Sequence, residues 1–178
     1  MSTEQIVNKV AKSGLINIDL SDFGPKETII ELDIKQFLHN GFILKEKDFR
    51  KGLSDFDFEL YREKTTALYC SAETVIPMWA YMLITSYLNS VGSKVFFGNK
   101  KEIFQLMLLK NIEKIDGKKY KNKRVLVNGC SNIELNESFF IAITKKLQNE
   151  VISLMFGEAC SAVPIYKKKN EPKNTYDK

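Results

Sequence analysis

The chain has 178 residues, of which 44% are hydrophobic, and a formal net charge of +5. This length suits one full domain and is too short for two domains of ordinary size. Its 12 phenylalanines and other apolar residues can form a core without disulfides, which argues against a disordered chain. The N-terminus carries no secretory signal, and the most apolar window, residues 75–88, is interrupted by Pro77 and too short to span a bilayer. We therefore expect a cytoplasmic protein with reduced cysteines and no membrane partner.

The positive charge is concentrated at the C-terminal end. Residues 166–178 hold five lysines against Glu171 and Asp177, a net +3, which leaves +2 for the rest of the chain. A nucleic-acid-binding domain usually carries its positive charge on a folded face, whereas this segment has too few apolar residues to fold. We therefore predict a disordered basic tail over residues 167–178 and no nucleic-acid partner.

Residues 1–62 are less regular, and we expect them to cover the remainder of a single domain of residues 1–166. Segments 15–20 and 28–34 alternate in polarity and flank a turn signal at residues 22–25, which favours a hairpin at the edge of a sheet. Short helices are predicted over residues 6–12, 34–40 and 45–53. His39, at the end of one of them, is interpreted as a surface residue.

Residues 63–166 form the predicted core, in which apolar strands alternate with helices. The predicted strands are 65–69, 94–97, 124–128 and 151–156. The predicted helices are 77–90, 100–112 and 137–148, and the apolar spacing of the first is typical of a buried helix. Such alternation is typical of an α/β fold with a mainly parallel sheet, doubly wound as in Rossmann and flavodoxin-like folds, with helices on both faces.

Three cysteines follow predicted strands, and each is followed directly by serine. Cys70 follows the first core strand, Cys130 the third and Cys160 the fourth, at separations of 60 (70 to 130) and 30 (130 to 160) residues. A βαβ unit spans about 30 residues, so the thiols recur at nearly the same phase. Because the carboxyl ends of parallel strands share one edge of a sheet, we expect the three cysteines to meet there.

Three grouped thiols suggest a metal site, because zinc and iron–sulfur clusters prefer thiolate ligands. Glu73, Glu158, a water molecule or a group of a partner can supply a fourth ligand. Two alternatives remain open. One is a thiol-dependent enzyme for sulfur transfer or redox work, in which one cysteine attacks and another resolves. The other is a structural or interaction protein whose cysteines are inert and simply packed.

Several common chemistries lack their motifs. The sequence has no Gly-x-Gly-x-x-Gly, no Gly-x-x-x-x-Gly-Lys-Ser/Thr, no His-Glu-x-x-His and no Cys-x-x-Cys. We therefore predict no nucleotide cofactor. With His39 as the single histidine, a Cys–His nucleophile is also disfavoured.

A set of motifs resembles an uncharacterised family of small bacterial proteins, a domain of unknown function. The motifs are Ile6-Val-Asn-Lys-Val, Leu44-Lys-Glu-Lys-Asp-Phe-Arg, Cys70-Ser-Ala-Glu, Pro77-x-Trp-Ala-Tyr-Met-Leu, Gly129-Cys-Ser and Gly157-Glu-x-Cys-Ser-x-Val-Pro. The resemblance covers residues 6–168 and implies no activity. It does suggest iron–sulfur assembly proteins as partners, because genes of this family can lie near the genes of cluster assembly.

Overall fold

The structure, a computed structural model, describes residues 14–129 and 134–169. The chain divides into two units. Unit 1 consists of Met1–Gly24 and Leu108–Lys178, and unit 2 consists of Pro25–Met107. The described strands are β1 Leu15–Asp19, β2 Ile29–Asp33, β3 Thr65–Tyr69, β4 Lys94–Phe97, β5 Arg124–Asn128, β6 Ser153–Phe156 and β7 Val163–Lys167. The described α-helices are α1 Glu46–Asp55, α2 Met78–Ser90, α3 Lys100–Glu113 and α4 Glu137–Leu147.

Unit 2 is built on a parallel sheet in the order β2-β3-β4. The central strand β3 is buried from Thr65 to Leu68, as expected for a parallel strand covered on both faces. Adjacent side chains point to opposite faces, so Leu68 packs with α1 and α2 while Ala67 packs with Ile103 of α3. The two clusters place the core of unit 2 on both sides of its sheet.

Unit 1 is built on a sheet in the order β1-β5-β6-β7. The first three strands are parallel, and β7 runs antiparallel to β6 with an irregular register between Leu154 and Met155. Helix α4 buries Phe139, Ile143 and Leu147, which recur every four residues along one face. Asn136 caps this helix with its side chain, as an N-cap asparagine should.

The predicted mixed α/β fold is confirmed, but a doubly wound sheet is not. Three of the four predicted core strands have the predicted bounds, and the last begins at Ser153 instead of Val151. The structure divides these strands between two sheets, β3 and β4 in one and β5 and β6 in the other. The physical reason is that each central strand pairs with a strand from the N-terminal region, β2 beside β3 and β1 beside β5.

The predicted N-terminal hairpin is wrong, because β1 and β2 lie in different sheets. Each strand ends in an aspartate that caps a 3₁₀ helix, Leu20–Phe23 after β1 and Ile34–Phe37 after β2. The first of these 3₁₀ helices lies between β1 and β2, where a tight hairpin would need its turn. The predicted helix at 45–53 is confirmed as α1, and the one at 34–40 is the second of these 3₁₀ helices. Residues 6–12 and most of the predicted tail lie outside the described residues.

The two units repeat one arrangement of elements at a constant offset of 59 residues (57 to 116). In each unit an aspartate-capped 3₁₀ helix precedes the central strand, an α-helix follows it, and a glycine with positive φ ends the next strand. The corresponding residues are the capping Asp57 and Asp116, the left-handed Glu63 and Asn122 with φ of 57° and 59°, and Gly98 and Gly157 with φ of 132° and 108°. The units are therefore two versions of one structural module.

Side-chain packing follows the same repeat. The rings of Tyr81 and Phe97 in unit 2 meet edge to face with centroids 5.6 Å apart, and those of Phe140 and Phe156 in unit 1 do so at 5.4 Å. The modules differ at β7, which pairs with β6 in unit 1. The strand of unit 2 that corresponds to β6 is β4, and β4 is at the edge of its described sheet.

Candidate functional site

Cys70 lies directly after the central strand of unit 2, at the carboxyl end where the sequence placed it. Its thiol is partly buried against the main core cluster of the unit, and Sγ lies 3.8 Å from the carbonyl oxygen of Ala72. Cys70 is therefore positioned at a strand end, with its side chain partly buried.

Asp33 ties the loop that contains Cys70 to the neighbouring strand. Its Oδ1 accepts the backbone N–H of Ser71 at 3.0 Å and that of Lys35 at 2.9 Å. Burial raises the pKa of Asp33, but the hydrogen bonds from Ser71 and Lys35 outweigh it and leave the pKa below its ordinary value. An ionised carboxylate thus fixes the Cys-Ser loop beside the end of β2.

Two tyrosines near the loop of Cys70 have raised pKa values. Burial raises the pKa of Tyr69, and the negative charges of Glu31 and Asp33 raise it further. Burial also raises the pKa of Tyr81, and the proximity of Cys70 adds to this rise. Both shifts favour the neutral phenol at these two positions.

Cys160 lies in the connection between β6 and β7 of unit 1 and is exposed to solvent. Its Sγ lies 3.9 Å from Oε2 of Glu158, so two of the predicted site residues are neighbours. The turn is closed by the N–H of Ser161, which donates to the carbonyl oxygen of Glu158 at 2.9 Å. An exposed thiol beside a carboxylate is not explained by core packing.

Cys130 lies outside the described residues, directly after Gly129 at the end of β5. The last residue of that strand, Asn128, pairs in register with Asp19 of β1. Its side-chain oxygen is buried and has no hydrogen-bond partner among the residues that the structure describes. Buried polar side-chain atoms are normally hydrogen-bonded, so Asn128 is an exception among the residues that the structure describes.

The predicted ligands are divided between the units. Cys70 and Glu73 belong to unit 2, whereas Cys130, Cys160 and Glu158 belong to unit 1. Within residues 14–129 and 134–169, no group of three or more His, Cys, Asp or Glu side chains is arranged to hold a metal ion. The meeting of all three thiols stays a prediction. His39, by contrast, is confirmed as an exposed residue.

An exposed apolar surface on unit 2 was not predicted from the sequence. Val75, Met78, Met82 and Phe97 are exposed to 90, 74, 72 and 74% respectively. We call these four residues the Met82 surface. Met78 and Met82 belong to the helix that was predicted to be buried, but α2 buries the opposite face, which contains Ala80, Ile84 and Leu88. Large exposed apolar patches commonly mark sites of interaction.

Comparison with known proteins gives a family and no function. Residues 4–168 match the family described as "Protein of unknown function (DUF2480)", which confirms the resemblance drawn from the motifs. Searches of curated proteins and of solved structures found no match. No helix in the described part of the chain has the length and apolar character needed to cross a membrane.

Proposed function

We propose that this chain, which belongs to the DUF2480 family, binds a soft metal ion or an iron–sulfur cluster through its Cys-Ser loops and serves as an accessory protein for that metal. The observation that carries the proposal is the polar partner of each described thiol. It is an oxygen atom in both cases, the Ala72 carbonyl for Cys70 and the Glu158 carboxylate for Cys160. Thiol and oxygen groups together form a ligand set for a cation.

Unit 1 supplies the best-supported ligands for this proposal. Cys130 and Cys160 follow β5 and β6, which are neighbouring parallel strands and therefore end at one edge of the sheet about 5 Å apart. Glu158 adds a carboxylate next to Cys160. Cys70 and Glu73 of unit 2 are the other two predicted ligands. A tetrahedral zinc ion needs four such ligands, with Zn–S distances of about 2.3 Å.

The acidic residues near the two described thiols favour metal binding over nucleophilic catalysis. A catalytic thiolate is normally stabilised by a nearby cation or by the N-terminus of a helix. Cys70 instead lies close to Tyr81, in a loop held by the ionised Asp33. Cys160 has the Glu158 carboxylate as its neighbour. A bound cation would neutralise these charges, whereas a free thiolate would add to them.

Metal analysis of the full chain purified without oxygen tests the proposal. We expect bound zinc or iron in a fixed ratio to protein, or its uptake on reconstitution, and a lower melting temperature after chelation, because a ligand held only by the folded state stabilises it. Protein that takes up no metal, with a melting temperature unchanged by chelator, would contradict the proposal. Iron–sulfur assembly proteins of the cytoplasm are the partners that it implies.

A further inference from the structure

The side of β4 that faces away from β3 carries the backbone groups of Val95 and Phe97. The N–H of Lys94 donates to the Lys64 carbonyl at 2.9 Å, and the N–H of Gly98 donates to the Leu68 carbonyl at 3.0 Å. Alternate residues of β4 thus face β3, and the intervening residues direct their N–H and C=O groups to the other side. Within the described residues β4 is an edge strand, and such an edge is a template for another strand.

The Met82 surface adjoins this edge. Met78 and Phe97 line an apolar groove of about 410 Å³ together with Tyr81 and Val95. Met82 lies one helical turn beyond Met78, and Val75 precedes the helix. Val95 and Phe97 therefore present their side chains to the groove on the face of the sheet that α2 covers. Met78 and Phe97 of the Met82 surface thus lie in the groove that borders the strand edge.

The repeat of the two modules indicates what kind of element covers an apolar groove beside a strand edge. The equivalent groove of unit 1 is lined by Val127, Phe140, Thr144, Leu154 and Phe156, the counterparts of Leu68, Tyr81, Thr85, Val95 and Phe97. Ile165 of β7 lines that groove as well, because β7 pairs antiparallel with β6. In unit 1 an antiparallel strand therefore completes the module and places an apolar side chain over the groove.

We propose that a second copy of this chain supplies the missing strand, with β4 pairing antiparallel to β4 about a two-fold axis at Phe96. This symmetry places Val95 opposite Phe97 of the second copy, so the outward-facing residues become hydrogen-bonded pairs. Both side chains lie on the face that carries the groove, so each copy covers the groove of the other as Ile165 covers that of unit 1.

The charge on β4 and the exposed apolar area are both compatible with binding of a second copy. Lys94 is the one charged residue of β4; it lies opposite Gly98 in this register and already pairs with Glu27 at 2.8 Å, so like charges do not face each other. The four exposed side chains of the Met82 surface offer on the order of 500 Å² of apolar surface per copy. The strand backbone and Tyr81 bring the total toward the roughly 800 Å² per partner that a stable interface buries.

The experiment measures the mass of the full chain in solution by light scattering and sedimentation over a range of concentrations. We expect twice the 20.5 kDa of the chain. Met82→Glu places a charge on the surface without touching the core and should raise the dissociation constant by about tenfold or more. Ile141→Glu is the matched control, since Ile141 is the counterpart of Met82 in unit 1 and is 54% exposed; it should leave the dimer intact.

A second variant addresses the strand edge. Val95→Pro removes an outward N–H while leaving the bonds of Lys94 and Gly98 to β3 in place, which proline tolerates in an edge strand. It should also yield monomers, and hydrogen exchange at Phe97 should be slower in the wild-type dimer than in Met82→Glu. A wild-type protein that is monomeric at all concentrations would overturn the proposal, as would a dimer that survives both variants or is lost equally with Ile141→Glu.

Discussion

The carboxylate of Asp33 accepts the backbone N–H of Ser71 at 3.0 Å, which joins the end of β2 to the loop that follows β3. The same oxygen accepts the N–H of Lys35 and so caps the 3₁₀ helix after β2. One side chain therefore ends one strand and positions the Cys-Ser loop of the next. Alternating polarity in the sequence could identify β2 but could not reveal this second role.

Asp33→Ala should lower the free energy of unfolding by about 1–2 kcal/mol, because two backbone donors lose an ionised acceptor. Asp57→Ala is the matched control, since Asp57 caps a 3₁₀ helix with one bond to Glu59 and ties down no loop. Asp57→Ala should lower the free energy of unfolding by less than Asp33→Ala does. Urea denaturation of both variants measures the difference, and equal costs would show that the bond to Ser71 contributes nothing.

The contribution of Asp33 should depend on pH. Burial raises its pKa, but hydrogen bonds from Ser71 and Lys35 lower it more, so the folded pKa is below the unfolded value of about 3.9. The stabilisation is therefore complete above about pH 4 and is lost as the pH falls through the folded pKa. Unfolding measured between about pH 2 and 6 should show wild type and Asp33→Ala converging at the acidic end.

The cysteine variants separate metal binding from packing. Cys160→Ser changes an exposed thiol, so it should leave the stability of chelated protein unchanged while lowering bound metal. Cys70→Ser changes a partly buried thiol and should cost about 1 kcal/mol even without metal. If the three thiols share one site, metal content falls in each single variant, including Cys130→Ser. A loss confined to Cys130→Ser and Cys160→Ser would place the site in unit 1 alone.

A buried hydroxyl pair in unit 2 should respond asymmetrically to substitution. Thr66 Oγ1 lies 2.7 Å from Ser93 Oγ, which donates to the Lys64 carbonyl at 3.0 Å. Ser93→Ala leaves the fully buried Thr66 hydroxyl without a partner and should cost about 1–3 kcal/mol. Thr66→Val removes the other hydroxyl yet leaves the bond from Ser93 to Lys64 intact, so it should cost less. Thermal unfolding of the two variants measures both costs, and a larger cost for Thr66→Val than for Ser93→Ala would contradict the prediction.

Gly117 is required by a close approach. A Cβ at this position would collide with the backbone carbonyl oxygen of Lys146, which cannot move without disturbing α4. Gly117→Ala should therefore cost about 1–3 kcal/mol. Gly52→Ala provides the control, because Gly52 lies within α1 with ordinary contact to Phe37 and alanine favours helices. The control should be neutral or slightly stabilising in the same denaturation assay.

The candidate site was predictable only in part. The position of Cys70 and Cys160 after strands follows from local pattern, because apolar runs closed by glycine or a polar loop mark strand ends. The neighbouring carboxylate of Glu158 could be suspected from its proximity in sequence. The contact of Asp33 with Ser71 could not, because the two residues are far apart in the chain and meet only through parallel pairing of β2 with β3.

The sequence by itself determined the α/β class, the bounds of β3, β4 and β5, and the helices that follow them, because periodicity and burial are recorded locally in the order of apolar residues. Only the tertiary structure decided which sheet each strand joins. Parallel pairing links strands through long crossovers. Neither the partner strand nor the pairing register can therefore be inferred from the residues in and around a strand. For the same reason the repeat of two modules, the pairing of β7 with β6 and the exposure of Met82 became visible only in three dimensions.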